Sequence, residues 1–198
     1  MAISFPLTLP SSPGYRAQEI APQTRVGMTQ STYTGAQQIF EWQGQWLQFS
    51  VSLPAMQQSA AETWAATFLA LNSYVGTFYL GPSIRKTSAG NPSGSITVST
   101  GATTNTTTLP ITGGSGSFAV GDWIQVGTTT ASRLHKVMQV NVGSVDVFPK
   151  LRTAYANGTA ITYTNPKGLF KLMGLPPWGY DARKICDGLT FTVMEVVL

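Results

Sequence analysis

Apolar and polar positions alternate most cleanly at Leu47, Phe49, Val51 and Leu53, with Gln48, Ser50 and Ser52 between them. A period of two puts the apolar set on one face, so this segment reads as a half-buried strand, which Pro54 stops. Trp64, Phe68 and Leu71 then recur at helical spacing, with small alanines at 60, 61, 65, 66 and 70 that would let a helix sit close on a sheet. Ser59 and Glu62 form a capping-box pair ahead of that run, and Gly76 lies beyond its end. These signals predict one α-helix, from about residue 57 to 72, followed by a strand at Thr77–Leu80.

Strand-like pairs continue downstream. Ile96 with Val98 and Leu109 with Ile111 are spaced by two inside a Thr-rich stretch; nine of the residues from Thr87 to Thr112 are Thr. That stretch reads as short strands joined by Gly/Ser turns, with a mobile loop around Gly113–Ser117. Gly121-Asp122 is a turn feeding a strand to Val126. Leu134–Asn141, Val145–Phe148 and Ala160–Tyr163 read as further strands, the first two joined by a hairpin at Asn141–Ser144. At the end Leu189, Phe191, Val193 and Val197 share a face, and Glu195 breaks the pattern. Many short strands with one helix make a mainly β chain of the sandwich or barrel class.

Phe78–Gly81 and Lys167–Lys171 both read as strands of one sheet, and the residues between them carry their own strands. The expected organisation is therefore a β-sandwich host domain with one α-helix, made of residues 1–84 and 165–198, with a small β-barrel or β-sandwich domain, 85–164, inserted in it. Exposed loops tolerate such insertions. Charge supports the division. Arg85, Lys86, Arg133, Lys136, Lys150 and Arg152 oppose only Asp122 and Asp146 in the middle segment, whereas six basic and six acidic residues cancel elsewhere. The whole net charge of +4 thus belongs to the insertion.

Only 20 of 198 residues are Lys, Arg, Asp or Glu, about 10%, against about 25% in an ordinary soluble domain. With 42% hydrophobic residues the chain can build a core, so the scarcity of charge points to a surface meant to be covered by neighbours. No basic run supports specific nucleic-acid binding. No apolar stretch is long enough for a membrane anchor, and the start lacks the pattern of a secretory signal. Cys186 is the single cysteine, so no internal disulfide or all-cysteine zinc site can form.

Residues suited to chemistry are sparse. His135 is the only histidine and has no Gly-x-Ser-x-Gly motif near it; a strand-surface or satisfied core imidazole is its expected role. Gly113-Gly-Ser-Gly116 lacks the Lys-Thr/Ser and the helix of a phosphate loop. The expectation is a protein without enzymatic activity, cofactor or metal. Aromatics are the candidate interface instead. Phe40, Trp42 and Trp46 flank Gly44-Gln45, read as a turn between paired strands, and serve either core or interface. Trp178 and Tyr180 sit in the stiff loop Leu175-Pro-Pro-Trp-Gly-Tyr180, suited to insertion into a partner or to packing on the chain's own sheet. Trp123, after a turn, is expected in the core of the insertion.

The opening Met1-Ala-Ile-Ser-Phe-Pro-Leu-Thr-Leu-Pro10, Gly44–Pro54, Ala61–Asn72 and Gly76–Pro82 resemble the host domain of distal tail proteins from long, non-contractile tailed bacteriophages. Gly121–Val126, Leu134–Val137, Val147–Arg152 and Ile161–Gly168 are similar to the second β domain in such proteins. The resemblance implies a virion protein assembled in the host cytoplasm. Its host domain would form a ring, commonly of six copies, joining the tail tube and tape-measure protein to the tail-tip or baseplate hub. Peripheral domains in this family vary, and some look like sugar-binding sandwiches, so a host-surface glycan is a further expected partner. A carbohydrate-binding module for adsorption is the alternative reading, and a cell-wall hydrolase a third that lacks its acid and base.

Overall fold

Ala17–Gln30 (β1) and Gln37–Ser52 (β2) pair antiparallel along nearly their whole length, so β2 continues far upstream of the apolar alternation that marks its inner end. The computed structural model describes residues 3–197; Met1 and Ala2 of the opening segment, and Leu198, lie outside the described residues. After β2 come Met56–Gln57 (β3), the helix Gln58–Leu71 (α1) and Phe78–Leu80 (β4). Six strands follow: Ile96–Val98 (β5), Thr108–Thr112 (β6), Trp123–Val126 (β7), Arg133–Asn141 (β8), Ser144–Phe148 (β9) and Ala160–Thr162 (β10). Gly168–Leu172 (β11), Ile185–Cys186 (β12) and Thr190–Glu195 (β13) complete the chain. The protein is mainly β, with one α-helix and a small inserted barrel.

Two layers make the host part. A five-stranded sheet in the order β1-β2-β13-β11-β4 lies against α1, and β12 pairs β3 beside the helix. The helix buries Ala61, Trp64, Ala65, Phe68 and Leu71, a stripe at helical spacing. Phe68 meets Phe191 of β13 at 5.0 Å between ring centroids, and Trp64 lies 5.9 Å from the same ring. The small alanines allow this close seat on the sheet.

The capping box does not form. The N-cap is Gln57, and no side chain caps the helix. Pairing of β3 with β12 fixes the entry two residues ahead of Ser59, and the Gln58 N–H donates to Lys184 O at 3.0 Å. Backbone pairing thus satisfies the first free N–H of the helix, and the helix begins ahead of the Ser59 start that the sequence signal predicts. At the other end Asn72 adopts a left-handed conformation, φ 46°, and donates to Phe68 O and Leu69 O. Gly76 passes against the Leu71 backbone, where a Cβ would come within 2.7 Å.

β4 and β11 are direct neighbours, with Leu80 opposite Gly168 and Phe78 opposite Phe170. The chain leaves the sheet at one strand and returns at the next. Between them β10-β5-β6-β9-β8-β7 close into a barrel filled by residues such as Leu109, Ile124, Val137, Val147 and Leu151. The Val142-Gly143 hairpin links β8 and β9 as the spacing predicts. The expected mobile loop at Gly113–Ser117 is instead tied back: Ser93 and Ser115 exchange backbone hydrogen bonds of 2.8 and 2.9 Å, and Ser117 N–H donates to Asn91 Oδ1.

Barrel and sheet share a core. Trp123 is buried as expected, but it packs outward against the sheet, 6.5 Å from Phe49 in an edge-on arrangement, while its neighbour Ile124 fills the barrel. Leu134 joins the same cluster. At Gly168 a Cβ would stand 2.9 Å from Leu134 Cβ, so glycine is what lets β8 approach β11. Val197 lies beyond β13 and is exposed; Val196 turns inward in its place.

Candidate functional site

β13 pairs β2 only from Thr190–Ser52 to Met194–Gln48. Outward of Gln48, β2 has β1 as its sole partner, so the two strands continue as a ribbon roughly 35 Å long at the usual rise per residue. The expected turn at Gly44-Gln45 is absent, because these residues lie inside β2, where an irregularity sets Trp42–Gly44 against the single residue Arg25 between the pairs Thr24–Gln45 and Val26–Glu41. Arg25 is why glycine stands at 44. Its side-chain stem crosses there, 3.0 Å from where a Cβ would be, and its guanidinium lies 5.2 Å from the centre of the Trp46 ring. Gly27 plays the same part for Trp42, whose ring carbon would be 2.9 Å from a Cβ. The hairpin turn is at Ser31–Ala36, where Ser31 Oγ accepts the N–H groups of Tyr33 and Thr34.

Phe40, Trp42 and Trp46 share one face of this arm by their parity along β2. Phe40 is 44% and Trp42 60% exposed, while Trp46 is half-buried beneath Arg25. The opposite face carries Val26, Met28 and Ile39, the last 65% exposed, and Met28 stands directly across from Ile39. Tyr33 at the tip is 98% exposed. Both faces of the outer ribbon therefore carry exposed apolar side chains, with no cover from the described residues at Phe40, Trp42, Met28 and Ile39, whereas an isolated two-stranded ribbon is marginal in water.

Trp178 and Tyr180 belong to a different element, the loop between β11 and β12. Both are exposed, less so than Trp42. Tyr180 OH donates to Glu62 Oε1 at 2.7 Å, tying the loop to α1. That hydrogen bond to a carboxylate pushes the phenol up to about 12. Glu62 thus serves this loop and not the helix N-terminus. The five candidate aromatics form two groups, three on the arm and two on the loop beside α1.

The residues that sequence reasoning missed lie where the barrel meets the arm. Lys150, just after β9, donates from Nζ to Glu41 Oε1 at 2.6 Å and from its backbone N–H to Gln45 Oε1 at 2.9 Å. Arg152 Nη2 donates to the Gln45 carbonyl and, at 3.2 Å, to Glu195 Oε2. Glu195 Oε2 also accepts the Leu47 N–H at 3.2 Å. Burial pushes the Glu195 carboxyl up, and the Arg152 guanidinium pulls it back down. Glu195 breaks the apolar face of β13 because it receives this arginine. The only available signal was that interruption itself.

Two further polar groups stabilise the barrel. His135 is buried, and its Nδ1 lies 2.9 Å from the Pro149 carbonyl. A carbonyl only accepts, so Nδ1 carries the proton and Nε2 is left without a partner. Burial lowers the imidazole to about 4, helped by the charges of Arg152 and Arg133 and opposed by the Pro149 bond. Asp122 has no exposed side-chain surface. Burial pushes its carboxyl up, yet hydrogen bonds from Ser88 Oγ and the Ala119, Ala89 and Gly90 N–H groups outweigh that and hold it below the usual range. The turn aspartate therefore ties the 88–90 segment to the barrel.

A cleft of about 500 Å³ opens between the base of the arm and the barrel, lined by Ile20, Pro22, Leu47, Trp123, Lys136 and Phe148 among others. Among the described residues no group of three His, Cys, Asp or Glu could hold a metal ion, and no helix is long and apolar enough to cross a membrane. No family model matches the chain, and no curated protein matches it.

Proposed function

We propose that this chain is a structural virion protein, a ring subunit at the distal end of a long, non-contractile phage tail. The observation that carries the reading is the β1–β2 arm, whose exposed apolar side chains on both faces and exposed tip find no cover among the described residues. An arm of this kind suits a heterologous contact, in which one copy's projection meets another surface of the next copy and the rotation closes a ring. The low charge outside the insertion fits subunits packed on several sides, since few charges then need desolvating. By the family resemblance the ring is expected as a hexamer, set between the tail tube with its tape-measure protein and the tip hub. The mass of the purified protein at rising concentration, with antibody-labelled electron microscopy of particles, tests this. A strict monomer that is absent from virions rules it out.

A second reading draws on a cleft of about 510 Å³ at one end of the barrel, lined by Thr103, Asn105, Thr106, Thr108 and Lys150. Its hydroxyl-rich wall suits a host-surface glycan. A glycan screen of the intact protein decides it, binding that is lost on Thr106→Val being the supporting result.

A further inference from the structure

The inserted barrel does more than hang from the sheet. Its 149–152 segment touches the arm at successive heights: Lys150 Nζ on Glu41, Lys150 N–H and Arg152 on Gln45, and Arg152 through Glu195 on the backbone of Leu47. All three positions on β2 lie outward of Gln48, where the third strand of the sheet has stopped. Leu47 itself is buried in the core that sheet and barrel share; from Gln45 outward to Glu41, β1 is the only strand paired with β2 among the described residues.

We infer that the barrel is a brace, in which Lys150 and Arg152 fix the direction in which the docking arm projects. This inference rests on the reading of the arm as the contact between copies. A two-stranded ribbon bends and twists readily about its root, and an arm that must be ordered on docking loses that freedom as a cost to affinity. Gripping β2 at Glu41 removes the freedom beforehand, leaving only the tip beyond it to adapt. The grip combines two kinds of contact. Arg152 with Glu195 is the buried, geometrically fixed root, and Lys150 with Glu41 is the outer stay. The brace also gives the insertion's basicity a use, because two of its cations face the two carboxylates nearest the arm. Lys150 and Arg152 are positioning residues: they hold the arm and need not touch the neighbouring copy.

Spin labels at Thr34→Cys on the arm tip and Ala66→Cys on the exposed side of α1 measure the arm's direction, with the buried Cys186 left in place. Two braceless variants are compared with the parent. One is Glu41→Ala/Gln45→Ala/Lys150→Ala. The other is Arg152→Met/Glu195→Gln, which removes the buried charges together and keeps an acceptor for the Leu47 N–H. The parent should give one narrow distance distribution, and both variants one at least about twice as wide, with circular dichroism unchanged. Their half-assembly concentration in light scattering should rise about tenfold, the effect of restoring one or two lost degrees of ordering. Unchanged distance widths in both variants overturn the brace. Wider distances with unchanged assembly overturn its part in docking. A parent that never assembles overturns the ring reading and the docking role with it, while the distance widths still decide whether the barrel holds the arm.

Discussion

Arg152 Nη2 lies 3.2 Å from Glu195 Oε2, joining the barrel to the last strand of the sheet across 43 residues of chain. Both side chains are largely buried, and the pair engages two backbone groups of β2, Arg152 the Gln45 carbonyl and Glu195 the Leu47 N–H. Breaking such a pair leaves one uncompensated charge in the interior. Arg152→Met alone or Glu195→Gln alone should therefore destabilise the protein by about 3–5 kcal/mol, whereas Arg152→Met/Glu195→Gln should recover much of the loss. Urea unfolding monitored by tryptophan fluorescence measures the difference. Additive single effects in the double variant would contradict the pairing.

Acid should weaken the fold through His135. Its imidazole sits at about 4 in the folded chain, below the value near 6.5 expected when unfolded. The unfolded chain therefore binds the extra proton more readily. The stabilisation is complete above about pH 6.5 and is lost as pH falls towards 4, by roughly 3 kcal/mol in all. Glu195, whose carboxyl is pushed up by burial, acts in the opposite sense. The test is accordingly the difference between parent and His135→Asn, which keeps a donor for Pro149: the variant's stability should fall less between pH 7 and 4.5.

Asp122→Ala should cost roughly 2 kcal/mol, because it leaves several partly buried N–H groups and the Ser88 hydroxyl without their acceptor. Hydrogen exchange should rise first at Ala89, Gly90 and Ala119. A loss spread evenly over the barrel would argue that Asp122 acts by some other route.

Trp42→Ser combined with Ile39→Ser removes one exposed apolar side chain from each face of the arm. Stability should change by no more than about 0.5 kcal/mol, as for other exposed positions. The half-assembly concentration should rise more than about tenfold. Equal loss of stability and assembly would mean that the arm packs on its own chain.

Local patterns in the sequence carried much of this fold. Leu47–Leu53, the Trp64–Phe68–Leu71 stripe and the individual strands β4 and β11 were legible because each depends on a few neighbouring residues. β1 was not, because its inner face mixes Ile20 with Pro22 and Thr24. Gly44 looked like a turn because glycine in a strand marks close approach as readily as reversal. The capping box failed because pairing of β3 with β12, more than a hundred residues apart, outweighed a local hydrogen bond. Phe40, Trp42 and Trp46 were recognisable as candidate anchors. Their placement on a projecting arm, and its contacts with Lys150 and Arg152, depend on which strands meet in space.

The insertion leaves and re-enters the sheet through Leu80 and Gly168, which face each other across one strand pair and so stand about 5 Å apart, a gap any short turn can span. The sheet therefore sets no limit on the length or type of module carried there. A lineage could exchange the barrel for another unit, or for a tight turn, without disturbing the register of β4 and β11. What it could not exchange freely is the grip on β2. A replacement would have to bring its own cations to Glu41 and Glu195, or give up a rigid arm.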